Sequence, residues 1–222
     1  MLWLSVGFLV ICGAQASAAL YLQNEERYIK DNRSSQAQAW VDERYLRIEL
    51  RRGNQNDIYL FDRDGMSFVI LNERQKTFRV YAQAEIEKGL KGYDAVPLRY
   101  AVSLPTYKEG WRCNQYNGVK QGVLRQQMFT VDRRQFEVST EAYRTLQSAR
   151  VFLDVLAPDV VAFFHAGNVE WERGAQGYAG IPVIQNNFDK DGQLLRTTQI
   201  TQSSAADVPT DFYSVPEDYR EI

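Results

Sequence analysis

The chain has one histidine, His165, and two cysteines, Cys12 and Cys113, in 222 residues. So few of these side chains leave little room for a transition-metal site of the His/Cys type. The lone imidazole also has no G-x-S-x-G or other nucleophile motif to serve. Neither sign of charge is in surplus: 26 Lys and Arg stand against 28 Asp and Glu. A broad basic field for nucleic acid is therefore missing, and so is an acidic tail for a basic partner. The body of the chain also lacks a membrane-length apolar run. Its most apolar stretch, Val151 to Phe164, is interrupted by Asp154, Pro158 and Asp159, whereas a spanning helix needs about 20 apolar residues with few charges. No low-complexity segment or long linker divides the chain, and its length suits one domain with a full core.

The N-terminus is different. Leu2 to Ala14, LWLSVGFLVICGA, has the length and composition of a signal-peptide core, and Ala16-Ser17-Ala18 fits the small-x-small cleavage pattern. The first basic residue is Arg27, so the usual positive charge ahead of such a core is missing. Ile11 before Cys12 argues against lipidation, which wants a small residue there. Residues 1–18 thus read as a secretory signal and 19–222 as one domain. Removal of the signal leaves Cys113 alone, so no intramolecular disulfide can form. With only Arg112 beside it, Cys113 reads as a small strand residue rather than a reactive thiol.

The body is mostly strand. In YLRIEL (Tyr45 to Leu50), Leu46, Ile48 and Leu50 alternate with polar positions, the period of a half-buried strand. DIYLF, the turn DRDG, MSFVIL and TFRVY follow, and such short connections join antiparallel neighbours. AQAEIEKGLKGYDAV then predicts a short helix ending near Gly89 or Gly92. LRYAVSL, GWRCNQYNG, VLRQQMFTV and RQFEVS predict a second set of strands.

Ser139 or Thr140 is placed to cap a long helix, with Glu141 in its first turn. Leu146, Ala149, Leu153, Leu156, Val160 and Phe163 form one apolar stripe at helical spacing, widened by Phe152, Val155, Val161 and Phe164. Pro158 should kink or divide this helix. So wide an apolar arc needs two layers around it or one strongly curved sheet. GIPVIQNNF, the turn DKDG and QLLRTTQITQ then read as a hairpin, and TDFYSVPEDYREI as a final docked segment.

The order YLRIEL, IYLFD, MSFVILN, KTFRVY, WRCNQY, apolar helix, GIPV with its hairpin and FYSVPEDY resembles the DUF4412 family of exported bacterial proteins. That family is similar in fold to the LolA/LolB-type lipoprotein carriers. The resemblance implies an α+β fold: a strongly curved antiparallel sheet, an unclosed half-barrel, with helices across its concave side. It implies a periplasmic location and brings no catalytic motif. The chain is therefore expected to be no enzyme, with no cofactor and no metal.

The expected function is binding or carriage of an apolar ligand, a lipid or acylated molecule, in the concave face. Leu46, Ile48, Phe68, Ile70, Phe78 and Val80 would line it from the strands, and Phe152, Leu153, Leu156, Phe163 and Phe164 from the helix. MSFVIL is nearly continuous, so its inward set could equally be Val69 and Leu71. The alternative is an envelope structural or interaction protein with a packed core, a protein partner and no ligand. His165 reads as a helix-terminal or surface residue. Asn187, Asp189, Asp191 and Gly192 match half of an EF-hand loop, but Thr198 stands where its bidentate acid belongs, which favours a plain turn. Glu170 and Glu172 share a strand face without positive support for glycosidase chemistry.

Overall fold

A computed structural model describes residues 17–90, 99–136, 138–157 and 178–222 of the chain. The first six strands, β1 (Ser17–Tyr28), β2 (Arg33–Val41), β3 (Tyr45–Arg52), β4 (Gln55–Asp62), β5 (Ser67–Asn72) and β6 (Thr77–Ala82), form a meander that runs straight into helix α1 (Gln83–Leu90). β7 (Arg99–Val102), β8 (Thr106–Lys108), β9 (Trp111–Lys120) and β10 (Val123–Val131) follow. Helix α2 (Thr140–Leu156), the hairpin β11 (Ile181–Phe188) and β12 (Leu194–Val208), and the short β13 (Arg220–Glu221) complete the order.

All the strands belong to one unclosed sheet, β13-β6-β5-β4-β3-β2-β1-β12-β11-β10-β9-β7, with β8 also paired to β9. Every pairing is antiparallel except β13 on β6. The architecture is a large curved antiparallel sheet with helices across one face, the half-barrel expected.

The register assigns the faces. Leu22, Ala39 and Ile48 stand opposite one another across β1, β2 and β3, and Tyr59 and Ile70 continue the row through β4 and β5. Onto this face α2 lays Ala142, Leu146, Ala149, Phe152 and Leu153, all buried. The Phe152 ring is stacked on Phe68 at 5.7 Å and lies 5.4 Å from Phe61. Ala37 and Ala39 leave room for α2 to sit close to β2. The helix begins as its sequence predicts: Ser139 Oγ accepts the Ala142 N–H at 3.0 Å. Thr145, buried inside the helix, donates to the Glu43 carbonyl at 2.8 Å and ties α2 to the β2–β3 turn.

The opposite face carries its own smaller core. Ile58, Leu60 and Leu71 are covered there by Val215 and Tyr219 of the C-terminal segment. That segment docks as a strap: Phe212 packs edge-on against Trp40 at 5.1 Å, Tyr213 stacks on Tyr45, and Arg47 sits over the Phe212 ring. The strap ends by adding β13 to the β6 edge, covering part of an otherwise open row of backbone groups.

Three details differ from the sequence reading. β1 and β2 are not foreseen, because Asn24 and Glu26 occupy inward positions of β1 and the alanines of β2 carry little hydrophobic signal. RQFEVS is not a strand at its start: Arg133–Phe136 forms a 3-10 turn. Asp132 Oδ1 accepts the Arg134 N–H at 2.9 Å, which favours a local turn over extension. β12 runs on to Val208 because β1 pairs with it from Arg196 to Val208. Val160, Val161, Pro158 and the expected kink lie outside the described residues.

Phe152 is 0% exposed, so Phe152→Ala should cost about 3–5 kcal/mol of unfolding free energy, read from urea denaturation. Val80→Ala, on the exposed side of β6, should cost less than about 0.5 kcal/mol. Equal small losses would mean that α2 does not hold the sheet.

Candidate functional site

The residues expected to line a pocket divide into three groups. Leu46, Ile48, Phe68, Phe152 and Leu153 meet between α2 and the sheet, each at most 2% exposed, with Ile70 and Leu156 packed against them. They fill one another's space and form solid core where the sequence reading places a ligand. Phe78 and Val80 are on the other face. The pairs Phe68↔Tyr81 and Ile70↔Arg79 turn the odd residues of β6 toward the helix. Phe78 consequently joins Ile58, Leu60 and Leu71, while Val80 is 38% exposed. Val69, the alternative inward residue, also packs on that outer side, because one residue of shift exchanges the faces of a strand. Phe163 and Phe164 lie outside the described residues, as do His165, Glu170 and Glu172.

Space exists elsewhere on the concave side, at the end where α2 begins. A cleft of about 400 Å³ runs between Ala18, Ala19 and Leu20 of β1, Val41 at the end of β2, and Phe136, Val138 and Ala142. Glu43, Gln135, Ser139 and the β12 residues Ser203, Ser204 and Ala205 complete its walls. Small side chains create the gap: Ala18 and Ala19 on β1 lie opposite Asp207 and Ala206 on β12, and Leu20 lies opposite Ala205. Its volume is in the range of small-ligand pockets. The sequence signal for it was the run of Ala and Ser in both strands, which a search for large apolar residues passes over.

A polar zone adjoins the packed core on the same face. Ser35, Glu26, Thr198, Gln185, Met128 and Tyr116 stand opposite one another in a row across six strands, and all are buried. Glu26 Oε1 accepts from Arg196 at 2.8 Å and Oε2 from Ser35 at 3.0 Å. Burial, and then the Glu26 charge, raise the Tyr28 hydroxyl above its usual range. In the next row Gln126 and Gln185 both donate to Asn187 Oδ1, at 3.1 and 3.2 Å, and Tyr100 donates to Gln126. Asn24 Nδ2, Thr198 Oγ1, Gln185 Oε1 and Asn187 Nδ2 are buried and have no partner among the described residues. Such a set of amides and hydroxyls can hold polar groups, and unpaired buried donors and acceptors are costly unless something does pair with them.

Other candidates have plain structural roles. Burial raises the Cys113 thiol above its usual range, which makes it a poor nucleophile. Asp189 Oδ1 accepts the N–H groups of Asp191 and Gln193, both at 2.8 Å, so NFDKDG is a capped turn. Asp62 uses the same device on the Asp64 N–H in FDRDG, and the Arg44 guanidinium holds the Asp62 carboxyl below its ordinary range. No described helix is long and apolar enough to cross a membrane.

The fold and site define an α+β protein with a half-open sheet and a cleft beside its crossing helix. No protein-family model and no curated protein matches the chain. Among solved structures it is similar to an uncharacterized conserved protein from Thermus thermophilus, at 8% identity and a TM-score of 0.53, over 93% of this chain and 90% of that one. That likeness is one of fold. Two MucB structures follow: the Pseudomonas aeruginosa MucA/MucB complex, at 12% identity and TM-score 0.46, and MucB with MucA(peri), at 10% and 0.45. Each covers 90% of this chain, which spans only 56% and 55% of those chains.

Arg196→Met should destabilise the protein by about 3 kcal/mol, because it strands a buried carboxylate, and adding Glu26→Leu should restore most of the loss. Urea titration of both variants tests this; a single variant as stable as the parent would remove the ion pair from the structural account. In Cys12→Ser protein, Cys113 should react with a thiol reagent only after unfolding. Rapid reaction of the native protein would contradict its burial.

Proposed function

We propose that the chain is an exported, non-enzymatic binding protein of the bacterial envelope, a DUF4412-type domain that holds one apolar chain in the cleft beside the start of α2. The cleft carries this reading. Its floor is Leu20, Val41, Phe136, Val138 and Ala142, and its volume is about 400 Å³, enough for a single acyl chain. Burial of such a chain is worth about 0.8 kcal/mol per methylene. Export is supported by the apolar stretch Leu2 to Ala14 with its small-residue site, and cleavage after Ala18 takes that one residue from the cleft wall while leaving its floor. The ligand is placed away from Leu46, Ile48 and Phe68, since those side chains already fill their own space.

A second reading, an interaction protein without a ligand, is favoured by the β7–β8 edge. Val102, Leu104 and Tyr107 are 54%, 86% and 76% exposed there, and an edge with apolar side chains suits strand addition by another chain.

Ala205→Trp discriminates between the two. Ala205 lies at the exposed wall of the cleft, so a large ring there fills the space without disturbing the core. Binding of a dansylated fatty acid should weaken at least about tenfold, equivalent to about 1.4 kcal/mol, with thermal unfolding unchanged. Undiminished binding would sink the cleft as the site. A parent protein that takes up no probe, and carries no lipid when its periplasmic form is weighed by native mass spectrometry, would leave the edge reading in its place.

A further inference from the structure

We propose that the hairpin rim at the far end of the strands is a docking surface for an anionic lipid bilayer. The antiparallel order brings five turns to that end, those joining β1 to β2, β3 to β4, β5 to β6, β9 to β10 and β11 to β12. Each has a cation in the turn or at the strand end beside it: Lys30, Arg51, Arg74, Lys120 and Lys190. Across 25–33, 51–57, 73–76, 120–125 and 189–196 there are eleven Lys or Arg and seven Asp or Glu, in a chain whose net charge is −2. The positive charge is therefore concentrated by topology, and no sequence-wide excess creates it.

Both ends of the sheet pair some of their cations internally; at the hairpin rim these are Arg27 with Glu25, Arg33 with Asp31, Lys76 with Asp218 and Arg196 with Glu26. At the α2 end the pairs are Arg44–Asp62, Arg63–Glu141 and Arg134–Asp132. At the hairpin rim, Lys30, Arg51, Arg74 and Lys190 are exposed and have no ion-pair partner among the described residues.

Apolar side chains separate a bilayer from other polyanions as the partner. Ile29, Leu194 and Leu195 are 50%, 37% and 44% exposed. Ile29 and Leu195 lie together, since the Ile29 N–H donates to the Leu195 carbonyl at 2.9 Å. Lys30 follows Ile29 directly and Lys190 sits on the adjoining turn. Exposed aliphatic side chains ringed by cations match a bilayer interface, where the side chains enter the acyl boundary and the ammonium groups meet lipid phosphates. The cleft lies at the other end of the strands, so this docking does not depend on its having a ligand.

The test is co-sedimentation of the full chain with phosphatidylcholine vesicles and with mixed phosphatidylcholine–phosphatidylglycerol vesicles. Residues 1–18 contain no Lys, Arg, Asp or Glu, so the difference between the two vesicle types reports on the rim. The parent should prefer the anionic vesicles at least about tenfold at low salt and lose that preference as salt is raised. Lys30→Glu with Lys190→Glu should abolish the preference. Ile29→Ser with Leu195→Ser should weaken binding to anionic vesicles several-fold while leaving retention on heparin unchanged. All four residues are exposed, and unchanged melting by circular dichroism confirms the fold of each variant. Equal binding of the parent to both vesicles, or an unaffected charge variant, overturns the proposal. An apolar variant that binds anionic vesicles as the parent does also overturns it, in favour of a soluble polyanion.

Discussion

The structure depends on the contact between α2 and the concave face of the sheet. A curved sheet that does not close exposes an apolar inner surface, and something must cover it. Here the cover is one helix whose Phe152 inserts between Phe61 and Phe68, with alanines on β2 thinning the sheet surface beneath it. Arg63 binding Glu141 and Thr145 binding the Glu43 carbonyl then fix the helix end over the β2–β3 and β4–β5 turns. Ser139 caps it at the same place. The helix cannot slide along the face without breaking several of these at once.

That single covering element also explains why the inner face is chemically divided. Where α2 lies, the inward residues are Leu, Ile, Val, Phe and the alanines of β2, with Tyr59. Away from it, across β1, β12 and β11, the inward residues become Asn24, Glu26, Thr198, Gln185 and Asn187. At the start of α2 they become small, and the cleft opens. The outer face of the same strands carries a second set of amides: Thr197 donates to Asn186, Asn186 to Gln127 and Gln127 to Asn117. With polar groups on both faces, this end of those strands has little hydrophobic pattern to set its register, whereas Val131, Ile181, Val183 and Ile200 continue the core nearer α2. The length of the strands and their hydrogen-bonded side-chain rows set the register there instead.

Legibility followed the same division. The β3–β6 meander, the α2 cap and stripe, and the β11–β12 hairpin could be read directly, because each has a clean period or a turn motif. β1 and β2 could not: Glu26 and Asn24 occupy inward positions, and an inward Glu makes sense only once Arg196 and Ser35 are known to meet it across two strand pairings. Phe68 reads as core from its neighbours alone. Phe78 and Val80 do not reveal their face, since that depends on how the Glu73–Lys76 turn sets the β5–β6 register.

By itself the sequence determined the element types over much of the chain, the capped start of the long helix and the need for a curved apolar face to receive it. Periodicity and capping are local, acting over a few residues, so they are written in order along the chain. Only the tertiary structure decided which side of β6 faces the helix, that the expected pocket residues lying between α2 and the sheet are packed core, and that the open space lies among alanines and serines. It alone gathered cations from five separate hairpins onto one rim. Those outcomes depend on long-range register and on the volume left between elements, to which residues far apart in sequence contribute jointly.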